Sequence, residues 1–365
     1  MLVRLLGGRW FLVLVAVGFA AALVVHPSGS RAASIQARPV RGGLQFPAAF
    51  TFAPDGKIFY GERFTGEIHI IDRAAGTDRV FARVTNLATE GEQGLLGVAL
   101  HPDYPDTPSV YVFATRLVQG DPRNHIIRFT RSGGSITSRV IFRAAAGGSH
   151  NGGRILFGPD RRLYAVIGEL GQPSNAQDLS RNVGKVLRMT AAGGIPADNP
   201  FADSRVFSYG LRNSFGAAFD PVTGRLWETE NGPRCNDELN RIRRGGNFAW
   251  GPSQTCQTPP SPPANTNRDG PNRILPERFY TPTTAPTGAV FCSSCGLGPN
   301  SGGRLFFGEF NTGRIRRVTL GPRRLGVVEQ SVVLGRAEGI LGMERAPRGT
   351  IFFSDRTAIY RLVFQ

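Results

Sequence analysis

Lysine is almost missing from this 365-residue chain: Lys57 and Lys185 are the only two, so nearly all of its 43 basic residues are arginine. The arginines are scattered through strand-like segments instead of forming a patch, and no nucleic-acid motif accompanies them, which argues against a nucleic-acid partner. The net charge of +16 is read first as the arginine usage of a GC-rich genome. Association with an anionic cell surface is the functional alternative. Long apolar runs are equally scarce. The single one, Trp10 to Val25, follows Arg4 and Arg9 and precedes the small residues Ser30-Arg31-Ala32. Residues 1–32 therefore read as a signal peptide or an N-terminal membrane anchor, placing the folded part outside the cytoplasm, whether secreted, periplasmic or at the cell surface.

Cysteine is limited to Cys235, Cys256, Cys292 and Cys295. The first pair lacks the short knuckle spacing of a thiolate zinc site, and Cys292-x-x-Cys295 lacks the βαβ context of a redox motif. In an oxidising compartment an even count implies two disulfides, and the most local pairing is Cys235 with Cys256 and Cys292 with Cys295.

Glycine and proline are abundant, at 47 and 26 residues, between short runs of Val, Ile, Phe and Tyr, the pattern of turns joining strands. Residues 33–44 read as a mobile linker arm. From Gln45 to the C-terminus a turn followed by an aliphatic-aromatic strand returns six times: at Phe52 to Glu62, Leu100 to Thr115, Phe157 to Glu169, Phe219 to Glu230, Gly302 to Phe310 and Ala346 to Asp355. A single four-stranded sheet cannot cover both of its faces, so repeats of this kind pack in a ring. The expected fold is all-β, a six-bladed β-propeller spanning 45–365. Residues 252–286, rich in proline and without a strand-like run, read as a stiff insertion folded over one face.

In such a ring the segments leading into the innermost strands converge at one mouth of the channel. Here they contribute Glu92, Gln93, His150, Asn151, Arg154, Arg212 and Asn213. The turn Asn231-Gly232-Pro233, followed by Asp237 and Glu238, is an oxygen-rich segment of the kind that Ca²⁺ prefers.

Four motifs, GLLGVALHPDY, HNGGRILFGPDRRLYAVIGE, SYGLRNSFGAAFDP and ENGPRCNDELNRIRRGGNFAWG, occur in an order and spacing that resemble the soluble glucose/sorbosone dehydrogenases. These are six-bladed quinoproteins that use pyrroloquinoline quinone (PQQ) and calcium to oxidise sugars and pass the electrons to an external acceptor. The resemblance implies that His150 is the catalytic base and that Glu169 orients it. It places Arg212, Asn213 and Glu92 at the cofactor, with Arg212 also stabilising charge that develops on it. The carbonyls of Gly232 and Pro233 would hold the cofactor's calcium, and Asp237 and Glu238 a second, structural one.

The chain departs from that pattern at four places. Glu169 stands where the family has aspartate, and Phe215 where it has glutamine. Asn311 stands where a lysine meets the cofactor's carboxylates, and AEGILGM replaces a segment bearing arginines. Arg314, Arg316 and Arg336 are the nearest cations that could compensate. The alternative reading is a propeller that has lost PQQ and binds carbohydrate, wall polymer or another protein. A third reading is a lactonase-type propeller hydrolase, a class that needs several carboxylates and an asparagine around one axial metal, of which the lead-in loops offer Glu92 and Glu338 but no full set.

Overall fold

The recurring aspartate turns are where the chain first takes shape. Asp55, Asp160 and Asp220 each accept, through Oδ1, the N–H two residues ahead at 3.1 Å, closing the hairpin between the first and second strands of their repeats. The computed structural model describes residues 33–256 and 262–365, and the leader expected at 1–32 lies outside them. Helix among the described residues is confined to Ser174–Gln177 and two 3₁₀ turns.

Six four-stranded antiparallel sheets follow one another around a ring. The first blade comprises Pro47–Phe52, Ile58–Glu62, Glu67–Asp72 and Thr77–Arg83. The next four have innermost strands Leu95–Leu100, Ile155–Phe157, Ser214–Phe219 and Pro286–Phe291. The sixth uses Met343–Arg345, Ile351–Ser354 and Ala358–Phe364, then takes its outermost strand from the other end of the chain, Ile35–Gly42. Ile35 pairs with Phe364 and Gly42 with Ala358. The expected linker arm is thus the clasp of the ring. Its residues are mostly exposed or half-buried, with Ile35 buried, as suits an outer strand and not a flexible tether.

Strand alternation explains why the ring is solid. Phe59 faces a cluster shared with the second blade, whereas Ile58 and Tyr60 face one shared with the sixth. The same division separates Val110 and Val112 from Tyr111 and Phe113, and Phe306 from Leu305 and Phe307. One apolar cluster fills each of the six gaps between blades, so no blade has a face without a neighbour. Near the axis the inner strands approach closely: a Cβ at Gly216 would lie 2.1 Å from the Thr287 carbonyl oxygen.

Two further expectations are settled by the chain's path. The insertion 252–286 does carry a strand, Arg278–Tyr280, which pairs with Asp237–Leu239 as the outer edge of the fourth blade. Three residues between prolines are too few to show a period. The insertion's segment 267–271 is pinned by buried carboxamides: Asn247 Nδ2 donates to the carbonyls of Asp269 and Pro271, and Asn267 Nδ2 to that of Phe248. Both local disulfides, Cys235–Cys256 and Cys292–Cys295, are present.

Removal of residues 34–42 should lower the thermal midpoint by several degrees, because the sixth blade loses its outer strand. Phe353→Ala, which empties a fully buried site, should cost about 3–5 kcal/mol in denaturant titrations. An unchanged midpoint in the truncated chain would show that the ring closes without its clasp.

Candidate active site at the channel mouth

Of the seven lead-in residues expected at the mouth, Glu92, His150, Arg212 and Asn213 border a cavity of about 320 Å³, together with Asn231 and Arg63, whereas Gln93, Asn151 and Arg154 do not. Its remaining wall is apolar and includes Phe46, Leu96, Phe215 and Phe310. The departure at Phe215 therefore falls on the wall itself.

His150 is held from three sides. Its backbone adopts a left-handed conformation, φ 55°, and its N–H donates to Glu92 Oε2 at 2.6 Å. The neighbouring Asn151, fully buried, ties the loop back on itself through Gly147 and to Asn124. The loop packs so tightly on the next strand that a Cβ at Gly168 would lie 2.2 Å from the His150 carbonyl oxygen. The ring Nδ1 lies 2.9 Å from Oε2 of Glu169, a side chain only 1% exposed.

That same carboxylate oxygen accepts the N–H of Gly171 at 2.5 Å, so it is an acceptor and His150 Nδ1 is the protonated ring nitrogen. In the neutral ring this tautomer leaves the lone pair on Nε2, as a proton acceptor requires. The extra methylene of glutamate is thus accommodated by the turn that follows it, with Leu170 and Gly171 both at positive φ. One of the two lysines supports this turn from behind. Lys185 Nζ donates to the carbonyls of Asn175, Ala176 and Val183, and burial pushes its ammonium down to about 7.

Arg212 is fixed by its own loop. Its N–H donates to Glu230 Oε1 at 2.5 Å, its Nη1 to the Asn231 carbonyl at 2.7 Å, and its guanidinium lies 5.4 Å from the Trp250 ring centre. Asn213 Oδ1 and Asn231 Oδ1 are buried without a hydrogen-bond partner. Open oxygens at a cavity wall call for a donor or a cation.

Gly232 and Pro233 follow Asn231 directly. Asp237 braces this turn: Oδ1 accepts the N–H of Gly232, and Oδ2 accepts those of Thr284 and Ala285. Both oxygens are occupied, and burial raises the carboxyl to about 6 against those three donors. Glu238 is placed differently. It lies across the strand pair from Glu230, as Asn240 does from Glu228, and all four are buried. Burial, reinforced by mutual repulsion, pushes the three glutamates well above the ordinary carboxylate range. Glu228 Oε1, Glu230 Oε2 and Asn240 Oδ1 have no partner.

Of the expected compensating cations, none borders the cavity. Arg316 pairs with Glu309 of its own blade and lies over Tyr280. Arg336 pairs with Asp355 at 3.2 Å and lies over Tyr360, and Arg314 is exposed on the strand Arg314–Leu320. Arg63 was not among the expected site residues, although a repeat signal marks it. Glu62, Glu230 and Glu309 each end the second strand of a blade, and the residues that follow them, Arg63, Asn231 and Phe310, all border the cavity.

A second group with metal-ligand spacing, Glu62, Glu67 and His69, lies away from this wall. Its atoms are already engaged in a hydrogen-bonded network with Asp78, Arg83, Gln45 and Thr65.

A family profile described as Glucose / Sorbosone dehydrogenase matches residues 44–361. The chain is 32% identical over 245 residues to quinoprotein glucose dehydrogenase B of Acinetobacter calcoaceticus, covering 58% of this chain and 51% of that protein. It is 30% identical over 230 residues to aldose sugar dehydrogenase YliI of Escherichia coli, covering 60% of this chain and 62% of that protein. Among solved structures, the PQQ-bound form of the aldose sugar dehydrogenase of Streptomyces coelicolor matches with a TM-score of 0.78 at 27% identity. That match covers 91% of this chain and 98% of the other.

Because Glu92 is exposed and its contribution is a single hydrogen bond to a strained residue, Glu92→Ala should leave the melting temperature almost unchanged. It should speed amide exchange in 147–151 by about tenfold. Unaltered exchange would remove Glu92 from the positioning of His150.

Proposed function

The chain belongs to the glucose/sorbosone dehydrogenase family, and from that premise we propose that it is an exported, PQQ-dependent sugar dehydrogenase containing calcium. The cavity suits that cofactor. Apolar and aromatic walls match a planar ring system, Arg212 and Arg63 offer charge to its carboxylates, and the open Asn213 and Asn231 oxygens await polar partners. The Gly232 and Pro233 carbonyls, with Asn231 Oδ1, are hard oxygen donors for a calcium at the cofactor. Glu238, with Glu228, Glu230 and Asn240, is the donor set for a structural calcium, while Asp237 acts as a brace.

The observation that carries the reading is the His150–Glu169 pair, with Nε2 free at the cavity. In this scheme His150 Nε2 accepts the proton of the sugar's anomeric hydroxyl. Glu169 stabilises the imidazolium so formed and prevents the ring from turning. Arg212 faces the negative charge that develops opposite the sugar. Bound PQQ would supply the two-electron acceptor for the hydride, and an external acceptor would return it to the oxidised state. The basic surface and the leader-like residues 1–32 support action outside the cytoplasm, against an anionic cell surface.

With PQQ and Ca²⁺ added, the protein should reduce a redox dye in the presence of aldoses. His150→Ala should lower kcat by about 10²- to 10⁴-fold without weakening PQQ binding. Glu169→Gln should fall in the same range, because a carboxamide cannot hold the same tautomer as firmly. Wild-type activity in His150→Ala would remove the proposed base. An inert wild type with intact folding would favour the binding-module alternative.

The buried glutamates give a separate test. Their folded-state values are raised, so the folded chain keeps protons that the unfolded chain releases, and stability without calcium should fall as pH rises from 4.5 towards about 8. Calcium should abolish that fall, and Glu238→Gln should lessen it. A calcium-free protein whose melting temperature is flat across this range would contradict the assignment.

A further inference from the structure

PQQ carries three carboxylates, and an ionised carboxylate withdrawn from water needs a cationic or multiply hydrogen-bonding partner. Of the cations expected from the fifth and sixth blades, none borders this cavity. Asn311 replaces the lysine, Arg316 is turned to Glu309 in its own sheet, and Arg336 to Asp355 in a turn of the sixth blade. The first blade does bring one.

Arg63 follows the strand Ile58–Glu62 and borders the cavity. Its Nε donates to the Gln93 carbonyl at 2.9 Å and its Nη2 to the Gly91 carbonyl. Its guanidinium lies 4.9 Å from the ring centre of Phe46 and 4.7 Å from that of Phe64. These contacts fix the plane of the group while leaving the Nη1 donors unused. It forms no ion pair among the described residues; the carboxylate whose charge acts on it, Glu92, accepts the His150 N–H. The residue is therefore an immobilised cation without an ion-pair partner at the edge of the site.

Its place in the ring gives it a defined role. Arg63 belongs to the first blade, and Arg212 leads into the fourth, which stands opposite in a ring of six. Two guanidinium groups on opposite sides suit a planar anion whose carboxylates project from its edges.

We propose that Arg63 is a carboxylate-binding residue for the quinone cofactor, and that the first blade supplies the charge expected from the fifth and sixth. The inference rests on the proposed PQQ-dependent function. A planar fork immobilised in this way gives bidentate hydrogen bonds to a carboxylate, which an ammonium group cannot reproduce.

The test is equilibrium binding of PQQ, and of its uncharged trimethyl ester, to the calcium-loaded apoprotein, followed by quenching of tryptophan fluorescence. Trp250 stacks beneath Arg212 and serves as the reporter. Arg63→Gln should weaken PQQ binding about 10- to 100-fold while changing affinity for the ester by less than about threefold. Arg63→Lys should fall between wild type and Arg63→Gln, and Arg336→Gln should leave both affinities unchanged. Circular dichroism melts identify any variant that fails to fold.

Equal losses for PQQ and ester in Arg63→Gln would show that Arg63 only shapes the loop at 91–93, and would overturn the inference. Undiminished PQQ binding in both Arg63 variants would overturn it as well, leaving the dehydrogenase reading intact. A wild type that binds neither compound would overturn both together.

Discussion

Closure of the ring is the constraint on which every other feature depends. Six sheets, none able to cover its own faces, bury them against one another in six apolar clusters, and Ile35–Gly42 completes the last sheet by adding to Ala358–Phe364. The loops at the channel mouth belong to residues far apart in the chain, and the ring is what makes them neighbours. Glu92 reaches His150 across 58 positions, and Thr229 Oγ1 reaches the Thr287 carbonyl across the same number. The clasp at the edge and the chemistry at the axis are thus two consequences of one packing problem.

Within that frame the site is built largely from backbone. His150 sits at positive φ, and Asp237 gives both oxygens to N–H groups. Arg212 is anchored through its own amide and through a carbonyl. Several side chains that would contact ligand nevertheless end in unsatisfied atoms. Open oxygens on Asn213 and Asn231, repelling buried glutamates and an unpaired Arg63 are each unfavourable in an empty protein. Together they describe the shape and charge of what is to be bound.

Much of this was legible in the sequence because it is local or repeated. Asp55, Asp160 and Asp220 mark hairpins through short-range hydrogen bonds, and the six turn-strand units reveal the blade count. The lead-in segments put His150, Arg212 and Asn213 at one mouth once the ring is assumed, and all three border one cavity. What escaped was non-local or very short. The outer strand Ile35–Gly42 finds its partner more than 300 residues away, and Arg278–Tyr280 is too brief to alternate. Arg316 and Arg336 were candidates on proximity in sequence, yet carboxylates on their own sheets and on the neighbouring turn claim them. Arg63 reaches the cavity because the residue after the terminal glutamate of a second strand always does, a rule seen only after three blades are superposed.

Every role assigned to this site depends on oxidation of a sugar at the cavity bordered by His150 and Arg63. The most direct measurement is a single turnover without oxygen, in which protein loaded with PQQ and calcium is mixed with an aldose and the cofactor's absorbance is followed. The account predicts complete conversion to the reduced spectrum, one sugar oxidised per cofactor. A tightly bound cofactor whose spectrum stays oxidised in the presence of every aldose tried would contradict it.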